Sequence, residues 1–386
     1  MKVLGLMSGT SADGIDAVLA EFSGRPARPR WRLLASHAHP YPAVLREQLV
    51  QLGQGASTTA AQLLDLAEAV TEAQAAAARA CDPAGAAALV GCHGQTVWHR
   101  PPAGGHRGAS LQVLQGPLLA GLLQRPVVFD FRAADLALGG QGAPLVPPAD
   151  AALLGHGAGW RGVLNLGGIA NITLIPPATG PERQALLRGW DCGPANSLID
   201  LAVQQLSEGR LNHDAGGAWA ARGCADEGLI RRWLQEPYLR QRPPKSTGRE
   251  QFGAADLQRR LTELDGRTPA DTLATLTAFS AACVAQDLQP RPLELLVAGG
   301  GARNATLMGE LRRRCRGTIV RPLAEMGIGS QQREALAFAL LAWWHQRRYC
   351  SNAPTVTGAQ ARAVLGVCAW PPGSAEAPSS SGALQP

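Results

Sequence analysis

Apolar positions along the chain fall into short runs of two kinds. Residues 2–6 and 15–22 are apolar or alternate with period two, the pattern of buried or half-buried strands. The small polar stretch 7–14 between them predicts a turn, and residues 31–37 predict a third strand. The alanine-rich run 58–80 has the spacing of a helix. A short buried strand follows at 87–91 and runs into Cys92-His93-Gly94-Gln95-Thr96. A helix is expected at 117–123 and a strand at 127–131. The alternation resumes with strands at 163–166, 171–175 and 186–191 and a helix at 196–206. A long amphipathic helix, 269–288, starts with a proline near its first turn. A strand at 293–298, a glycine turn, a helix and a final helix at 331–347 complete the pattern. Strands and helices alternating in this way predict an α/β protein.

The glycine- and proline-rich stretch 139–148 is the expected crossing between two domains. Residues 1–132 are then an N-terminal α/β lobe, completed by the segment around 350–370. Residues 133–349 are a second α/β lobe. From 371 to 386 the chain is small, polar and proline-rich, which predicts a disordered tail. Residues 3–19 and 163–175 share one plan: strand, glycine-rich turn, strand. Two related halves would give this echo, and so would coincidence in a chain with 45 glycines.

The length of 386 residues accommodates two domains. Apolar residues make up 46% and charged residues 17%, as in globular proteins. A net charge of +6 is dispersed, apart from Arg312-Arg313-Arg314 at the end of a helix, where arginines complement the helix dipole. Without a basic stripe, nucleic acid is not an expected partner. Lys2 and Lys245 are the only lysines, so phosphate groups must be held mainly by other donors. The eight cysteines include no C-x-x-C pair, which argues against a zinc site or a disulfide scaffold. The chain opens directly on a strand pattern without signal-peptide features, and no run is long and apolar enough for a membrane span. A cytoplasmic protein is expected.

Three glycine turns carry candidate chemistry. The first contains Gly9, Thr10, Ser11, Ala12, Asp13, Gly14, Ile15 and Asp16. Glycines let backbone N–H groups converge on an anion, and hydroxyls add donors. Asp13 and Asp16 suit Mg²⁺, directly or through water. An Asp-Gly turn alone would make a hairpin, but it leaves the additional small polar residues unexplained. The second turn, residues 165–171, offers Gly167 and Gly168 and ends on Asn171. In the third, Gly299, Gly300 and Gly301 follow a strand and open a helix that Asn304 is placed to cap. No P-loop or hydrolase elbow occurs. The G-x-G-x-x-G match at 157–162 precedes a strand, the wrong context for a dinucleotide site.

Asp191 closes a strand ahead of Gly193-Pro194, where α/β ligands bind. It is a candidate general base, or else part of a helix-capping turn. Its neighbour Cys192 has no partnered histidine and reads as a packing residue. His93, Gln95 and Thr96 are candidate contacts to a sugar or its carboxylate, and Arg132 a bidentate clamp or a surface ion pair. The loop 243–250 either lines the site or is a rigid connector. Glu334 either orients a catalytic group or supports its helix N-terminus.

Taken together, these segments resemble the sugar kinase, heat-shock protein and actin superfamily. More narrowly they resemble the anhydro-N-acetylmuramic acid kinases. The resemblance rests on 7–14, 93–96, 130–132, 139–147, 165–171, 191–196, 243–250 and 299–304, in family order. It implies two ribonuclease H-like (actin-like ATPase) domains around a central cleft, with ATP and Mg²⁺ as cofactors and a homodimer. It implies hydrolytic opening of 1,6-anhydro-N-acetylmuramic acid with phosphorylation of its 6-oxygen, in cell-wall recycling. By motif, Asp191 matches the family's base, and 9–16, Gly167, Gly168, Gly300, Gly301 and Asn304 its ATP contacts. His93, Gln95, Thr96, Arg132, Asn171 and Glu334 are the implied substrate contacts. The chain departs from the family's Asp-Thr-Gly-Pro-Gly-Asn by having Cys192 and Ala195. A different small-molecule kinase of the superfamily and a non-catalytic nucleotide-binding regulator are the competing readings.

Overall fold

In the computed structural model the first apolar runs pair as expected, and the strands are longer than the hydrophobic pattern suggests. The structure describes residues 1–373 except His156, Ala158, Pro244 and Arg249. The expected tail from residue 374, and those two positions of the 243–250 loop, lie outside the described residues. The chain divides into two units. One comprises Met1–Ala143, Glu334–Asn352 and the chain from Ala359; the other Pro144–Arg333 and Ala353–Gly358. The change between Ala143 and Pro144 falls inside the glycine- and proline-rich stretch.

The first unit begins with strands β1 (Lys2–Ser8), β2 (Gly14–Arg25) and β3 (Arg28–Pro40), then helices α1 (Ala43–Gly53) and α2 (Ala60–Cys81). Thr59 and Gln62 cap α2 reciprocally, each side chain bonding the other's main-chain N–H. Next come β4 (Leu89–Arg100), β5 (Ala109–Val113), α3 (Gly116–Leu123), β6 (Val127–Phe129) and α4 (Ala133–Ala137). Strand β4 was expected to stop at residue 91. It continues because the polar residues beyond that point find partners inside the sheet.

The second unit contains α5 (Val146–Leu154), β7 (Arg161–Leu166), β8 (Ile169–Ile175), β9 (Arg188–Pro194) and α6 (Asn196–Leu206). Helices α7 (Glu227–Trp233), α8 (Pro237–Arg240), α9 (Ala254–Glu263) and α10 (Pro269–Asp287) follow, then β10 (Glu294–Ala298), α11 (Ala305–Arg314) and β11 (Ile319–Pro322). The chain ends with α12 (Gln332–Gln346), α13 (Pro354–Thr357) and β12 (Val367–Ala369).

Each unit holds one sheet. The first runs β12-β6-β4-β1-β2-β3, with β5 beside β4; the second runs β11-β10-β7-β8-β9. In both, the first three strands pair antiparallel, and two more add parallel on the other side of the first strand, β4 then β6 in the first sheet and β10 then β11 in the second. This is the ribonuclease H-like plan, present twice, and it turns the sequence echo into a structural repeat. The equivalent hairpins, β1–β2 and β7–β8, carry the first two glycine turns.

Helix α12 packs on the first sheet where Gly5 and Gly91 sit side by side in register. A Cβ on Gly5 would overlap the Ala335 carbonyl, and one on Gly91 the Phe338 carbonyl. The missing side chains therefore let the helix backbone rest on the strands. On the first sheet's other face, α2 contributes Val70, Ala77 and Ala78 to a core with Leu6, Val90 and Val127. In the second unit, Trp190 and Cys192 pack with Val284 and Leu288 at the end of α10.

Candidate active site

The first glycine turn is open at its tip and anchored at its base. Gly9, Thr10, Ser11 and Asp13 are exposed, whereas Ala12 and Ile15 are buried. Ala12 donates its N–H to the Gly9 carbonyl at 3.1 Å and holds φ 51°, left-handed backbone that an alanine adopts at a cost of about 1–2 kcal/mol. Strand β4 holds the base of this turn. Gln95 is 1% exposed, and its Nε2 donates to the Gly9 carbonyl at 2.9 Å. Its Oε1 accepts from Ser8 Oγ. Ser8 Oγ also meets Tyr41 OH at 3.1 Å, and Gln74 Nε2 of α2 donates to that phenol at 3.4 Å. Gln95 thus has its side chain committed to the loop, and Thr96 Oγ1 accepts from Gln112 Nε2 at 3.1 Å. The Ser8–Tyr41–Gln74 chain was not visible in the sequence, because no motif links residues so far apart.

The two candidate metal carboxylates differ. Asp13 Oδ1 accepts from Arg46 at 2.8 and 3.2 Å and is exposed. Asp16 is half-buried, and burial, helped by the Glu334 charge, pushes its pKa up to about 6. Hard oxygen donors are what Mg²⁺ takes, usually one or two carboxylates with phosphate oxygens and waters. Asp16 fits that role as it stands; Asp13 fits it only after leaving Arg46. Among the described residues no group of three or more His, Cys, Asp or Glu gathers to hold a metal.

His93, Arg132 and Glu334 come together beside this turn. His93 is buried with its ring 4.7 Å from that of Phe338. Arg132 Nη2 lies 2.9 Å from His93 Nε2. A guanidinium only donates, so Nε2 is the acceptor, and the proton sits on Nδ1, which donates to the Gly94 carbonyl at 2.9 Å. Burial, then the Arg132 charge, lowers the His93 pKa to about 3, so the ring is neutral. Arg132 also donates to the Gly142 carbonyl at 2.7 Å, while its buried Nε has no partner. The histidine therefore acts as a fixed support for Arg132. Glu334, in the first turn of α12, lies near enough to act on both Arg132 and Asp16.

In the second unit, register places Asn165, Asn171 and Asp191 in one row across β7, β8 and β9. Directly paired residues share a sheet face, so three polar side chains stand together. Asp191 Oδ2 accepts from Ser246 Oγ at 3.0 Å and from the Thr247 N–H at 3.1 Å. Oδ1 has no protein partner among the described residues. Burial raises the Asp191 pKa, the two bonds at Oδ2 oppose the rise, and the Glu250 charge adds to it. The capping-turn alternative for Asp191 does not describe its bonds. Instead, the loop carrying Ser246 runs along the edge of β9, with Asp191 N–H donating to the Lys245 carbonyl at 3.0 Å. Lys245 itself is buried and paired with Asp287 at 2.9 Å, a structural ion pair remote in character from a phosphate ligand.

The second and third glycine turns meet. The carbonyls of Gly167 and Gly168 accept from the N-terminus of α6: Asn196 N–H at 3.0 Å, Ala195 N–H at 2.8 Å and Ser197 N–H at 3.0 Å. Gly299 has φ 82°, and a Cβ there would stand 2.6 Å from the Leu166 carbonyl oxygen. A Cβ on Gly301 would stand 2.6 Å from Leu166 Cβ. Gly300 is open, with nothing nearer than Asn196 Nδ2 at 4.0 Å. Asn304 is buried and caps α11, accepting from Leu307 N–H at 2.9 Å. Its side chain is thus occupied by the helix.

A doubled α/β plan with glycine turns in equivalent hairpins is the layout of a phosphotransferase for a small polar substrate. The chain belongs to the anhydro-N-acetylmuramic acid kinase family, whose model matches residues 1–371. The anhydro-N-acetylmuramic acid kinase of Synechococcus sp. (strain CC9902) is 64% identical over 380 residues, covering 96% of this chain and all of the relative. That of Prochlorococcus marinus (strain MIT 9303) is 63% identical over 378 residues, with 96% and 100% covered. Among solved structures, the likeness to component A of the Acidaminococcus fermentans (R)-2-hydroxyglutaryl-CoA dehydratase is loose: TM-score 0.42 and 11% identity, over 89% of this chain and 98% of that one. The chain is a kinase that uses ATP and acts on a small amino sugar. No helix among the described residues is long and apolar enough to cross a membrane.

Proposed function

We propose that the chain adds water and a phosphoryl group to 1,6-anhydro-N-acetylmuramic acid, giving N-acetylmuramic acid 6-phosphate and ADP in cytoplasmic cell-wall recycling, as a homodimer. Asp191 takes a proton from water as the oxygen attacks the anomeric carbon. The bond from that carbon to the 6-oxygen breaks, the freed 6-oxygen takes the γ-phosphoryl group, and ADP leaves. The proton on Asp191 passes to solvent. The observation that carries this reading is the half-buried Asp191 carboxylate, with Oδ2 fixed by Ser246 and Thr247 and Oδ1 without a protein partner. One oxygen sets the orientation and the other remains for water.

Gly9–Asp16, Gly167, Gly168, Gly300 and Gly301 are the proposed nucleotide contacts. Gln95 and Asn304 act by holding these turns in place. Arg132, aimed by His93, pairs with the substrate carboxylate; Asn171 and Glu334 bond its hydroxyls. Mg²⁺, held by Asp16 and reached by Asp13 on release from Arg46, would supply charge neutralisation on the phosphates. The test is Asp191→Asn, which keeps the shape and removes the base. Turnover should fall about 10²–10⁴-fold with a KM for ATP close to that of the parent chain. Near-normal turnover in a folded variant would remove Asp191 from the role.

A further inference from the structure

A cavity of about 800 Å³ opens within the second unit beside β9 and the end of α10. Trp190 and Cys192 point into the core at α10, so strand alternation turns Asp191 to the opposite face. The cavity, which Trp190 lines, therefore lies behind the candidate base. Its wall includes apolar Leu187, Trp190 and Leu239, and its rim carries Arg188, Arg240 and Arg242. All three arginines are exposed. Arg188 lies over the Trp160 ring at 5.6 Å, and Arg240 and Arg242 have no carboxylate partner among the described residues. The acidic residue in the wall, Asp287, is already neutralised by Lys245. A volume within the range of small-molecule sites, apolar walls and unpaired guanidiniums together suit an anion with an apolar body.

The same cavity touches the loop that holds the base. Lys245 reaches into its wall through Asp287, while the Lys245 carbonyl bonds Asp191 N–H. The next two residues hold the Asp191 carboxylate. We propose that this cavity binds a small organic anion with an aromatic or aliphatic body, and that occupancy alters turnover through residues 245–247. The coupling rests on Asp191 being the base; the binding does not.

The probe is 8-anilinonaphthalene-1-sulfonate, titrated by fluorescence against the full chain with saturating ADP present. One site is expected. Arg240→Glu with Arg242→Glu should weaken it at least tenfold, Arg240→Gln with Arg242→Gln by less, and Asp191→Asn not at all. Both arginine side chains are exposed, and an unchanged thermal midpoint checks that the variants are folded. Equal affinity in the charge-reversed chain, or no probe binding under saturating ADP, would overturn the site. Bound probe should change the parent chain's kcat at least twofold and leave the charge-reversed chain's kcat unaltered. An unaltered kcat with the cavity full would overturn the coupling. Should Asp191→Asn retain turnover, the base assignment fails while the binding result stands.

Discussion

Asp16 and Asp191 are both carboxylates that burial makes harder to ionise, and this has opposite consequences for stability and for activity. The folded pKa of Asp16, about 6, is above its ordinary 3.8. The folded state then binds the proton more tightly than the unfolded one between these values, so stability falls as pH climbs from about 4 to about 6. Asp16→Asn removes that slope. At pH 7 it should stabilise the chain by about 1 kcal/mol, a figure reduced for a half-exposed group, while weakening nucleotide binding. Calorimetric midpoints at pH 4 and pH 7 check this; a variant less stable than the parent at pH 7 would contradict it. In the role proposed for Asp191 the carboxylate must be ionised, so turnover measured against pH should fall as pH drops through a pKa raised above the usual carboxylate range. His93 stays neutral throughout the working range and contributes no step near neutrality. At this scale the sequence marks which residues are polar but not the direction they face. Gln95 and Asn304 have the chemistry of ligands, yet both point into the protein, because direction depends on Ser8, Gly9 and Leu307 reaching them.

The glycines that matter for the elements are of two kinds, turn glycines and contact glycines. Only the first kind was legible, since Gly167-Gly168 lie between two strand patterns and Gly299-Gly300-Gly301 between a strand and a helix pattern. Gly5 and Gly91 are single glycines in strands, and their purpose exists only against α12. Gly5→Ala should destabilise the chain by about 2 kcal/mol or more in urea unfolding, because backbone must move to admit the methyl group. A loss below about 0.5 kcal/mol would mean that the helix is not in contact there. Gln95→Ala tests the anchor of the first turn. It removes one of two partners from Ser8 Oγ, which keeps Tyr41, and from the Gly9 carbonyl, which keeps the Ala12 N–H, a cost of about 1–3 kcal/mol for the two lost bonds. It should also raise KM for ATP several-fold with a smaller change in KM for the sugar; equal effects on both would argue for a general loss of structure. Helix α1 was missed although Leu45, Leu49 and Leu52 recur along it at helical spacing.

At the scale of the whole chain, the α/β class and the doubled plan follow from one pattern met twice: strand, glycine turn, strand. The repeat was legible because each hairpin is local. The parallel partners β4 and β10 were not assignable from sequence, since parallel pairing joins distant segments and leaves no local signature. Neither was the pairing of Lys245 with Asp287, which changes a possible phosphate ligand into a fixed point of the Asp191 loop. Across its length the chain is a kinase of one family, and the chemistry proposed for it adds water in the same turnover as phosphoryl transfer. The most direct test is a coupled assay of ADP release over a panel of sugars, with the product weighed by mass spectrometry. One ADP should appear per 1,6-anhydro-N-acetylmuramic acid consumed, with a product heavier by one water and one phosphoryl group, and N-acetylmuramic acid itself should be a poor substrate. ADP release independent of the anhydro sugar, or equal turnover of the already open sugar, would contradict the account.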